Sequence, residues 1–443
     1  MFNDLSFAWP DGTPALINIR GSFGDSRTGF IGSNGAGKST LLRLIAGELA
    51  PTEGTIVTSG LVDYLPQGLT WTSSTVADLL GISEVRAALR QVEAGSTDQS
   101  AFDTIGDQWD IEDKMVAELA ALRLPTDLDR SVSALSGGEA MLIAIAGVRL
   151  RGADIVLLDE PTNNLDRDAR QRLYDLIGAW SGTLIIVSHD VELLDLMDEM
   201  VELRAGEVTR FGGNYSGYVN WLEVQQAAAA QSLRSAEQAL KREKRERIKA
   251  EDRIAHSERQ GRKDRTNRKY VGMIVDKRRN AAEKSQGARR SNADLSVVGA
   301  KSAVEAAEAQ VRADDQVQLV LPEVNLSSSK RLAELVSSDG RDFVIAGPMR
   351  VGLVGANGVG KTTLIEACLA QATAKTAYLP QRIVLDDEKS VFNTVREFAP
   401  NVPPAQLKNQ LAWLLLRGST LERPVGSLSG GERFRVALAR LLL

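Results

Sequence analysis

The chain has 443 residues, a net charge of −5, and 43% hydrophobic and 25% charged residues. These proportions are ordinary for a globular protein and exclude wholesale disorder, and the length predicts about three domains. No apolar run approaches the roughly 18 residues of a membrane-spanning helix, and the start lacks the basic and apolar regions of a secretory signal. Cys368 is the only cysteine, which excludes an intramolecular disulfide and makes a reducing cytoplasm the expected location.

The first predicted site is a glycine loop between a short strand and a helix. The apolar pair Phe30-Ile31 precedes the loop at 32–40, and apolar residues with helical spacing follow at 41–45. Strand, glycine loop and helix in this order are the context of a P-loop, whose backbone N–H groups converge on phosphate oxygens. Lys38 is expected to bridge the β- and γ-phosphates, and Ser39 to place its hydroxyl on Mg²⁺.

Two later strands are predicted to end at the same sheet edge with chemically active side chains. The apolar run at 155–158 is typical of a central parallel strand and is followed by Asp159 and Glu160. Because ligands of parallel sheets bind at that edge, we expect Asp159 to hold Mg²⁺ and Glu160 to polarise or deprotonate the attacking water. A second such strand at 183–187 precedes His189, which is expected to donate a hydrogen bond to the γ-phosphate; the alternative is a structural histidine.

The middle of the chain combines helical composition with positive charge. Residues 241–290 include 19 basic and 8 acidic residues, whereas the rest of the chain has 34 basic and 50 acidic ones. The glycine-free stretch 218–260 predicts a long helix and 300–314 a second, with the basic stretch 261–287 at the tip of a helical hairpin or bent pair.

This charge distribution favours a polyanion as partner, either RNA, DNA or an anionic membrane face. The alternative is a solvated basic helix without a partner. The candidate RNA-binding residues all lie in the basic stretch: Arg262, Lys263, Arg265, Arg268, Lys269, Lys277, Arg278 and Arg279.

Three motifs return in the same order after this stretch, which identifies a duplicated domain. They are GSNGAGKST (32–40) and GANGVGKTT (355–363), YLPQ (64–67 and 378–381), and LSGGE (135–139 and 428–432). The second glycine loop is framed like the first, by a predicted strand at 351–354 and a helix from Leu364. The first copy has about twenty extra residues between YLPQ and LSGGE, which we expect to form a polar surface loop near 95–110.

The motifs in this order resemble the ATP-binding cassette superfamily, with its Walker A, Q-loop, signature, Walker B, D-loop and switch-histidine motifs. Two cassettes in one chain, no membrane span and a charged helical linker are similar to the ABC-F class, as are the strings DEPTNNLD (159–166) and GNYSGY (213–218). The expected fold is α/β, with P-loop NTPase cassettes at 1–215 and 316–443, the second incomplete, joined by a basic α-helical hairpin linker at 216–315.

The resemblance implies that the cassettes close head to tail on ATP, so that each site combines the glycine loop of one copy with the signature of the other. Trp9 falls where cassettes stack an aromatic ring on adenine, and the alternative is a core tryptophan. Site one would contain Gly32, Asn34, Gly35, Gly37, Lys38, Ser39, Thr40, Gln67, Asp159, Glu160 and His189 with Ser429, Gly430 and Gly431; Gln67 would join Ser39 and Asp159 at Mg²⁺. Site two would contain Gly355, Asn357, Gly358, Gly360, Lys361, Thr362, Thr363 and Gln381 with Ser136, Gly137 and Gly138.

The second copy departs from the family pattern. The sequence ends at Leu443, just after the second LSGGE motif, and includes no second Walker B strand, catalytic glutamate, D-loop or switch histidine. We therefore expect hydrolysis at site one with Glu160, binding alone at site two, and an exposed sheet edge in the second cassette.

The ABC-F resemblance implies an ATPase that acts with Mg²⁺ on the ribosome, its linker entering the tRNA exit region and contacting rRNA and tRNA. Some members of the class are translation factors and others protect ribosomes from antibiotics, and the residues do not separate these roles. The alternatives are the ATPase subunit of a membrane transporter, a DNA-repair or chromosome-associated ATPase, and an ATP-binding module without turnover.

Overall fold

The computed structural model describes residues 1–67, 75–163, 165–266, 272–312, 319, 326–336, 342–372, 376–381 and 383–442. The chain divides into two compact units, Met1–Ser216 with Gln316–Leu443, and Gly217–Asp315. None of the described helices combines the length and the apolar character needed to cross a membrane.

The strands of the first copy form two sheets. They are β1 (Phe2–Ala8), β2 (Pro14–Gly21), β3 (Arg27–Gly32), β4 (Glu53–Ile56), β5 (Val62–Leu65), β6 (Ile155–Asp159), β7 (Thr183–Val187), β8 (Glu199–Arg204) and β9 (Glu207–Gly212). The antiparallel sheet has the order β2-β1-β4, and the larger sheet has the order β5-β6-β7-β3-β8-β9. All pairs of the larger sheet are parallel except β8 with β9. The strands predicted around Phe30, at 155–158 and at 183–187 are confirmed as β3, β6 and β7.

Register in the parallel sheet aligns the strand ends that matter for the site. Phe30 of β3 lies opposite Val187 of β7 and Val201 of β8, and Asp159 of β6 also lies opposite Val187. The glycine loop after β3, the acidic pair at the end of β6 and the segment after β7 therefore meet at one edge.

The described residues of the first copy also form eight α-helices. They are α1 (Lys38–Ile45), α2 (Val76–Leu80), α3 (Ser83–Glu93), α4 (Gln99–Ile105), α5 (Ile111–Ala121), α6 (Gly137–Arg151), α7 (Arg167–Gly178) and α8 (Val191–Leu194). The surface loop expected near 95–110 is wrong, because α4 lies within it. Asp98 caps this helix by accepting the Ser100 N–H, and Ala101 and Ile105 bury its inner face at 3% and 0% exposure. Because so few of its residues are buried, this short helix has a mostly polar sequence. Its composition therefore predicted a loop.

The linker unit contains two long helices, α9 (Tyr215–Thr266) and α10 (Gly272–Gln310). Arg247 Nε of α9 lies 2.9 Å from Asp294 Oδ1 of α10, and the Arg312 N–H donates to Gln226 Oε1 at 2.7 Å, so the helices pair as a hairpin. The predicted hairpin is confirmed, but both helices are longer than the predicted ranges 218–260 and 300–314 and extend into the basic stretch 261–287. Gly261 lies inside α9 and Gly287 inside α10. The helix-forming lysines, arginines and alanines around each glycine outweigh its cost of about 1 kcal/mol.

The second copy contains the antiparallel pair β10 (Arg331–Val336) and β11 (Asp342–Ala346), followed by helices α11 (Lys361–Gln371), α12 (Val391–Arg396), α13 (Pro404–Trp413) and α14 (Gly430–Leu442). Its apolar core lies among the last three helices and includes Val391, Val395, Leu407, Leu411, Val425 and Val436.

The strand predicted at 351–354 is wrong, since these residues have no regular structure and Val354 is 90% exposed. In the first copy, β3 lies between β7 and β8, both of which follow α6 in the chain. The counterpart of α6 is α14, which is the last described element, so within the described ranges 351–354 has no parallel neighbour. A strand without neighbours cannot satisfy its backbone N–H and C=O groups.

Candidate active site

The first glycine loop has the shape of an anion site. Lys38 is buried, and its Nζ donates to the carbonyl oxygens of Gly32 at 2.7 Å and Ser33 at 3.1 Å. Gly37, with φ 97°, is the N-cap residue of α1, and no side chain of the cap accepts a hydrogen bond from the N–H groups of the first turn. A Cβ at Gly37 would lie 2.5 Å from Leu16 Cδ2, so only glycine fits between the loop and β2. The helix N-terminus is therefore open to a negatively charged group.

Asp159 lies at the end of β6 and is 3% exposed. Tyr64 Oη donates to its Oδ2 at 3.4 Å, and no described residue donates to its buried Oδ1. Burial raises the pKa of Asp159, whereas the nearby hydroxyls of Ser39 and Tyr64 and the charge of Lys38 oppose the rise. One oxygen of a buried carboxylate is thus left for a ligand beside the Ser39 hydroxyl.

Glu160 is held in an unusual backbone conformation next to Asp159. Its φ is 51°, in the left-handed region, and its N–H donates to Val187 O at 2.8 Å. The residue is 7% exposed, and burial, reinforced by the charge of Asp159, raises the pKa of its carboxyl to about 7. Strained backbone of this kind is found at sites where a side chain must be aimed.

His189 faces this carboxylate, with Nε2 at 3.2 Å from Glu160 Oε1. Partial burial and the charge of Lys38 lower the pKa of the imidazole below its ordinary value. The lowered pKa favours the neutral imidazole, which can donate its one N–H to Glu160 or to a ligand.

A cavity of about 1120 Å³ joins these groups to the second signature. Ser429 immediately precedes α14 and accepts the N–H of Glu432, whose carboxylate accepts the N–H and Oγ–H of Ser429. A Cβ at Gly431 would lie 3.7 Å from Asn34 Nδ2, so the two walls approach closely here. The predicted site-one residues that line the cavity are Trp9, Asn34, Gly35, Gly37, Lys38, Ser39, Thr40, Gln67, Asp159, Glu160, His189, Ser429, Gly430 and Gly431.

Trp9 lies between the core and the cavity. Its ring packs edge-on against Phe7 at a centroid distance of 5.1 Å and contacts the core, yet it also lines the cavity. Gly32 does not line the cavity; its φ is 155°, and a Cβ there would meet the Leu203 carbonyl oxygen.

The residues predicted for site two are arranged differently. Lys361 Nζ donates to Gly355 O at 2.7 Å and Ala356 O at 2.6 Å, as in the first loop. The second loop is exposed from Gly355 to Gly360, including Asn357 and Gly358, and so are the remaining predicted residues, Thr362, Thr363 and Gln381. In the first signature Ser136 and Gly137 are exposed, whereas Gly138 is buried where a Cβ would lie 2.9 Å from Ala169 Cβ.

A hydrogen bond joins the second glycine loop to the first copy. The N–H of Asn357 donates to Asp166 Oδ2 at 3.3 Å, while Asp166 Oδ1 accepts the N–H of Ala169 at 2.9 Å and caps α7. Asp166 thus accepts hydrogen bonds both from a helix of the first copy and from the glycine loop of the second copy.

Several residues at the site were not predicted from sequence. Tyr64 touches Asp159, and its recurrence as Tyr378 was a signal, since a duplicated tyrosine beside the Q-loop glutamine suggested a shared role. Arg170 and Asp190 line the cavity and lie 3.4 Å apart, and no pattern in the sequence pointed to them as a pair.

The candidate RNA-binding residues divide between the two linker helices. Arg262, Lys263 and Arg265 belong to α9, and Lys277, Arg278 and Arg279 to α10. Arg268 and Lys269 lie outside the described residues.

Comparison with known proteins decides the family. The sequence profile of the ABC transporter family matches residues 23–163 and 339–443, more than half of the chain. The tylosin resistance ATP-binding protein TlrC of Streptomyces fradiae is 31% identical over 94% of this chain and 82% of its own length. The chain belongs to the ABC-F class of the ATP-binding cassette superfamily. It is therefore an ATPase that binds ATP.

Other ABC-F relatives match over similar lengths. ATP-binding protein Uup of Escherichia coli is 28% identical over 97% of this chain and 69% of its own. The energy-dependent translational throttle protein EttA of Mycobacterium tuberculosis is 28% identical over 94% and 76%. A crystal structure of the archaeal ribosome recycling factor aABCE1 with the stalk protein aP1 matches 99% of this chain and 75% of that chain, at TM-score 0.53 and 19% identity, which shows the fold alone.

Proposed function

We propose that the first glycine loop and the second signature form one composite site that hydrolyses ATP with Mg²⁺, and that the chain does this on the ribosome. The observation that carries the first part is the shared cavity, which has Lys38 and Glu160 on one wall and Ser429 on the other. Two walls from different copies give a site that is complete only when the cassettes meet.

Binding is assigned to the glycine loop and the two helix N-termini that face the cavity. The open N–H groups at the start of α1 suit the β-phosphate, and Lys38 can leave its two carbonyl partners for a phosphate oxygen. The start of α14, with Ser429 and the two signature glycines, suits the γ-phosphate from the opposite side. The ring of Trp9 offers a stacking surface for the adenine.

The donor set beside Lys38 fits Mg²⁺. The buried Asp159 Oδ1 has no donor within the described ranges, and a hydroxyl and an amide oxygen, from Ser39 and Gln67, line the same cavity. Hard oxygen ligands of this kind are those that Mg²⁺ prefers, and the bound ion would neutralise charge on the β- and γ-phosphates.

Proton transfer is assigned to Glu160 and His189. The carboxylate of Glu160 has the position and the raised pKa of a general base for water. The neutral His189 at 3.2 Å can orient that carboxylate and donate to the γ-phosphate. The exposed second glycine loop, with Lys361, is assigned ATP binding.

The ribosomal part of the proposal is supported by the relatives and by charge. EttA is a translational throttle and TlrC a tylosin resistance protein, and both match nearly the whole of this chain. The basic stretch 241–290 with 19 cationic residues suits RNA phosphates. We propose that the chain comprises a cassette over 1–215, an RNA-binding linker over 216–315 and a second cassette over 316–443, and that it acts as a translation factor or a resistance protein in the cytoplasm.

The composite site is tested by Ser429→Arg. A bulky cation at the cavity wall should obstruct the γ-phosphate and lower ATP turnover by about 10²-fold, whereas nucleotide binding to the first loop persists because Lys38 and Ser39 remain. Steady-state hydrolysis and binding of a fluorescent ATP analogue measure the two effects.

The matched control is Ser136→Arg, since Ser136 forms the same capping box with Glu139 that Ser429 forms with Glu432. We expect it to lower turnover less, because Ser136 does not line the site-one cavity. An equal loss in both variants would mean that the cap, and not the composite site, explains the effect.

The ribosomal part is tested by sedimentation of the purified chain with ribosomes. We expect pelleting with a non-hydrolysable ATP analogue, little with ADP, and release by high salt because phosphate contacts are screened. Partition into membrane vesicles without ribosome binding would favour the transporter-subunit alternative instead.

A further inference from the structure

Asp190, the residue after His189, is held from several directions. Tyr174 Oη donates to its Oδ2 at 2.7 Å, and Arg170 Nε lies 3.4 Å from the same oxygen. Its Oδ1 accepts the N–H groups of Glu192 at 3.1 Å and Leu193 at 3.4 Å, which caps α8. Both oxygens of this carboxylate are therefore occupied, and it is 10% exposed. A side chain with this many partners has one position available to it.

Tyr174 is the buried member of this cluster. It lies on α7 among Leu173, Leu176 and Ile177, which pack into the core, and is itself 9% exposed. Burial and the neighbouring Asp190 raise the pKa of its hydroxyl above the ordinary value, so the hydroxyl keeps its proton and remains a donor. Arg170, by contrast, is 44% exposed and reaches the same oxygen over a longer distance. The tyrosine is thus the fixed anchor and the arginine the adaptable one.

The ring of His189 lacks comparable support from packing. Its side chain is 62% exposed, although its Nε2 lies 3.2 Å from Glu160 Oε1. Hydrogen bonds instead hold the two residues that flank His189 in the sequence, Ser188 and Asp190. The Asp190 N–H donates to Ser188 Oγ at 3.1 Å, and Ser188 Oγ lies 3.4 Å from Thr162 Oγ1. The position of the imidazole is consequently set by the backbone on either side of it.

From this geometry we propose that Tyr174 is a positioning residue for hydrolysis, which through Asp190 holds His189 against Glu160. The inference rests on the proposed roles of Glu160 and His189. Tyr174 does not line the cavity, so it acts without touching the nucleotide. Its loss should slow the chemical step while leaving the binding groups of the glycine loop in place.

The test is Tyr174→Phe in the full chain, which removes the hydroxyl and keeps the ring in the core. We expect kcat for ATP hydrolysis to fall about tenfold and KM to stay within about twofold. The variant loses an arrangement needed in the transition state but keeps the contacts that bind ATP in the ground state. The double variant Tyr174→Phe/Asp190→Asn should be no slower than the slower single variant, since both changes cut the same connection.

The matched control is Thr183→Val. Thr183 Oγ1 donates to Asp25 Oδ1 at 2.5 Å, a hydroxyl–carboxylate bond at the opposite end of β7. This variant should share any loss of thermal stability and keep kcat. An unchanged kcat in Tyr174→Phe, a fall in kcat that Thr183→Val reproduces, or an additive double variant would overturn the inference.

Glu160→Gln in the same assay separates this inference from the proposed function. If Glu160→Gln is inactive and Tyr174→Phe is not slowed, the positioning role alone fails. If both variants keep full activity, the assignment of the site itself fails, and the role of Tyr174 fails with it.

Discussion

Replacing Glu160 with glutamine is expected to lower ATP hydrolysis by about 10²–10⁴-fold and to leave ATP binding intact. The carboxylate is buried in the wall of the cavity, next to Asp159 and 3.2 Å from His189 Nε2, where it can take a proton from water. Glutamine keeps the shape and the hydrogen-bonding oxygen but is not a base. Single-turnover phosphate release and nucleotide-binding titrations measure the two quantities.

Glu199→Gln is the matched control for this variant. Glu199 is a carboxylate of the same sheet with 8% exposure, close to the 7% of Glu160, and it pairs with Arg210 at 2.6 Å. Breaking that pair should lower the melting temperature without changing kcat. A Glu160→Gln variant that turns over at the normal rate would disprove the general-base role.

The same variant also connects hydrolysis to the ribosomal proposal. If hydrolysis releases the chain from the ribosome, Glu160→Gln with ATP should pellet with ribosomes as the unmodified chain does with a non-hydrolysable analogue. If Glu160→Gln leaves the ribosome at the normal rate, ATP hydrolysis does not control release of the chain from the ribosome.

Neutralising the basic stretch of the linker is expected to weaken ribosome binding at least about tenfold at physiological salt. The variant replaces five residues with glutamine, which keeps helix propensity while removing charge: Arg262, Lys263, Arg265, Arg268 and Lys269. If these residues neutralise phosphates, the slope of log affinity against log salt should decrease by about one for each phosphate that the variant leaves without a cation. Sedimentation over a series of salt concentrations measures both.

ATP hydrolysis without ribosomes is the internal control for the linker variant. The cavity residues all lie outside 216–315, so basal hydrolysis should stay unchanged. Unaltered affinity and unaltered salt dependence would mean that the basic helices are solvated without an RNA partner, the alternative left open by composition.

The sequence was sufficient where the chemistry is local. Lys38 must follow glycines at fixed spacing to reach phosphates, and Asp159 and Glu160 must follow an apolar strand to stand at a sheet edge, so spacing alone predicted their neighbourhood. The pairing of Ser429 with the first glycine loop, by contrast, was expected only from the resemblance to ATP-binding cassettes, and the cavity that both line agrees with it.

Sequence failed where neighbours in space decide the outcome. The stretch 351–354 is as apolar as β3, yet it forms no strand without flanking strands. Helix α4 is mostly polar because only Ala101 and Ile105 face inward, and Gly261 and Gly287 do not end the linker helices. Propensity describes a residue, whereas these outcomes depend on what packs against it.

By itself the sequence determined the class of the protein, the identity of the phosphate-binding and carboxylate side chains, and the basic character of the linker, because each of these depends on residue type and spacing. Only the tertiary structure decided that Glu160 is buried beside His189, that Asp166 reaches the loop at Asn357, and that Tyr174 holds Asp190. Burial and hydrogen bonding between residues far apart in the chain arise from packing, which no local pattern encodes.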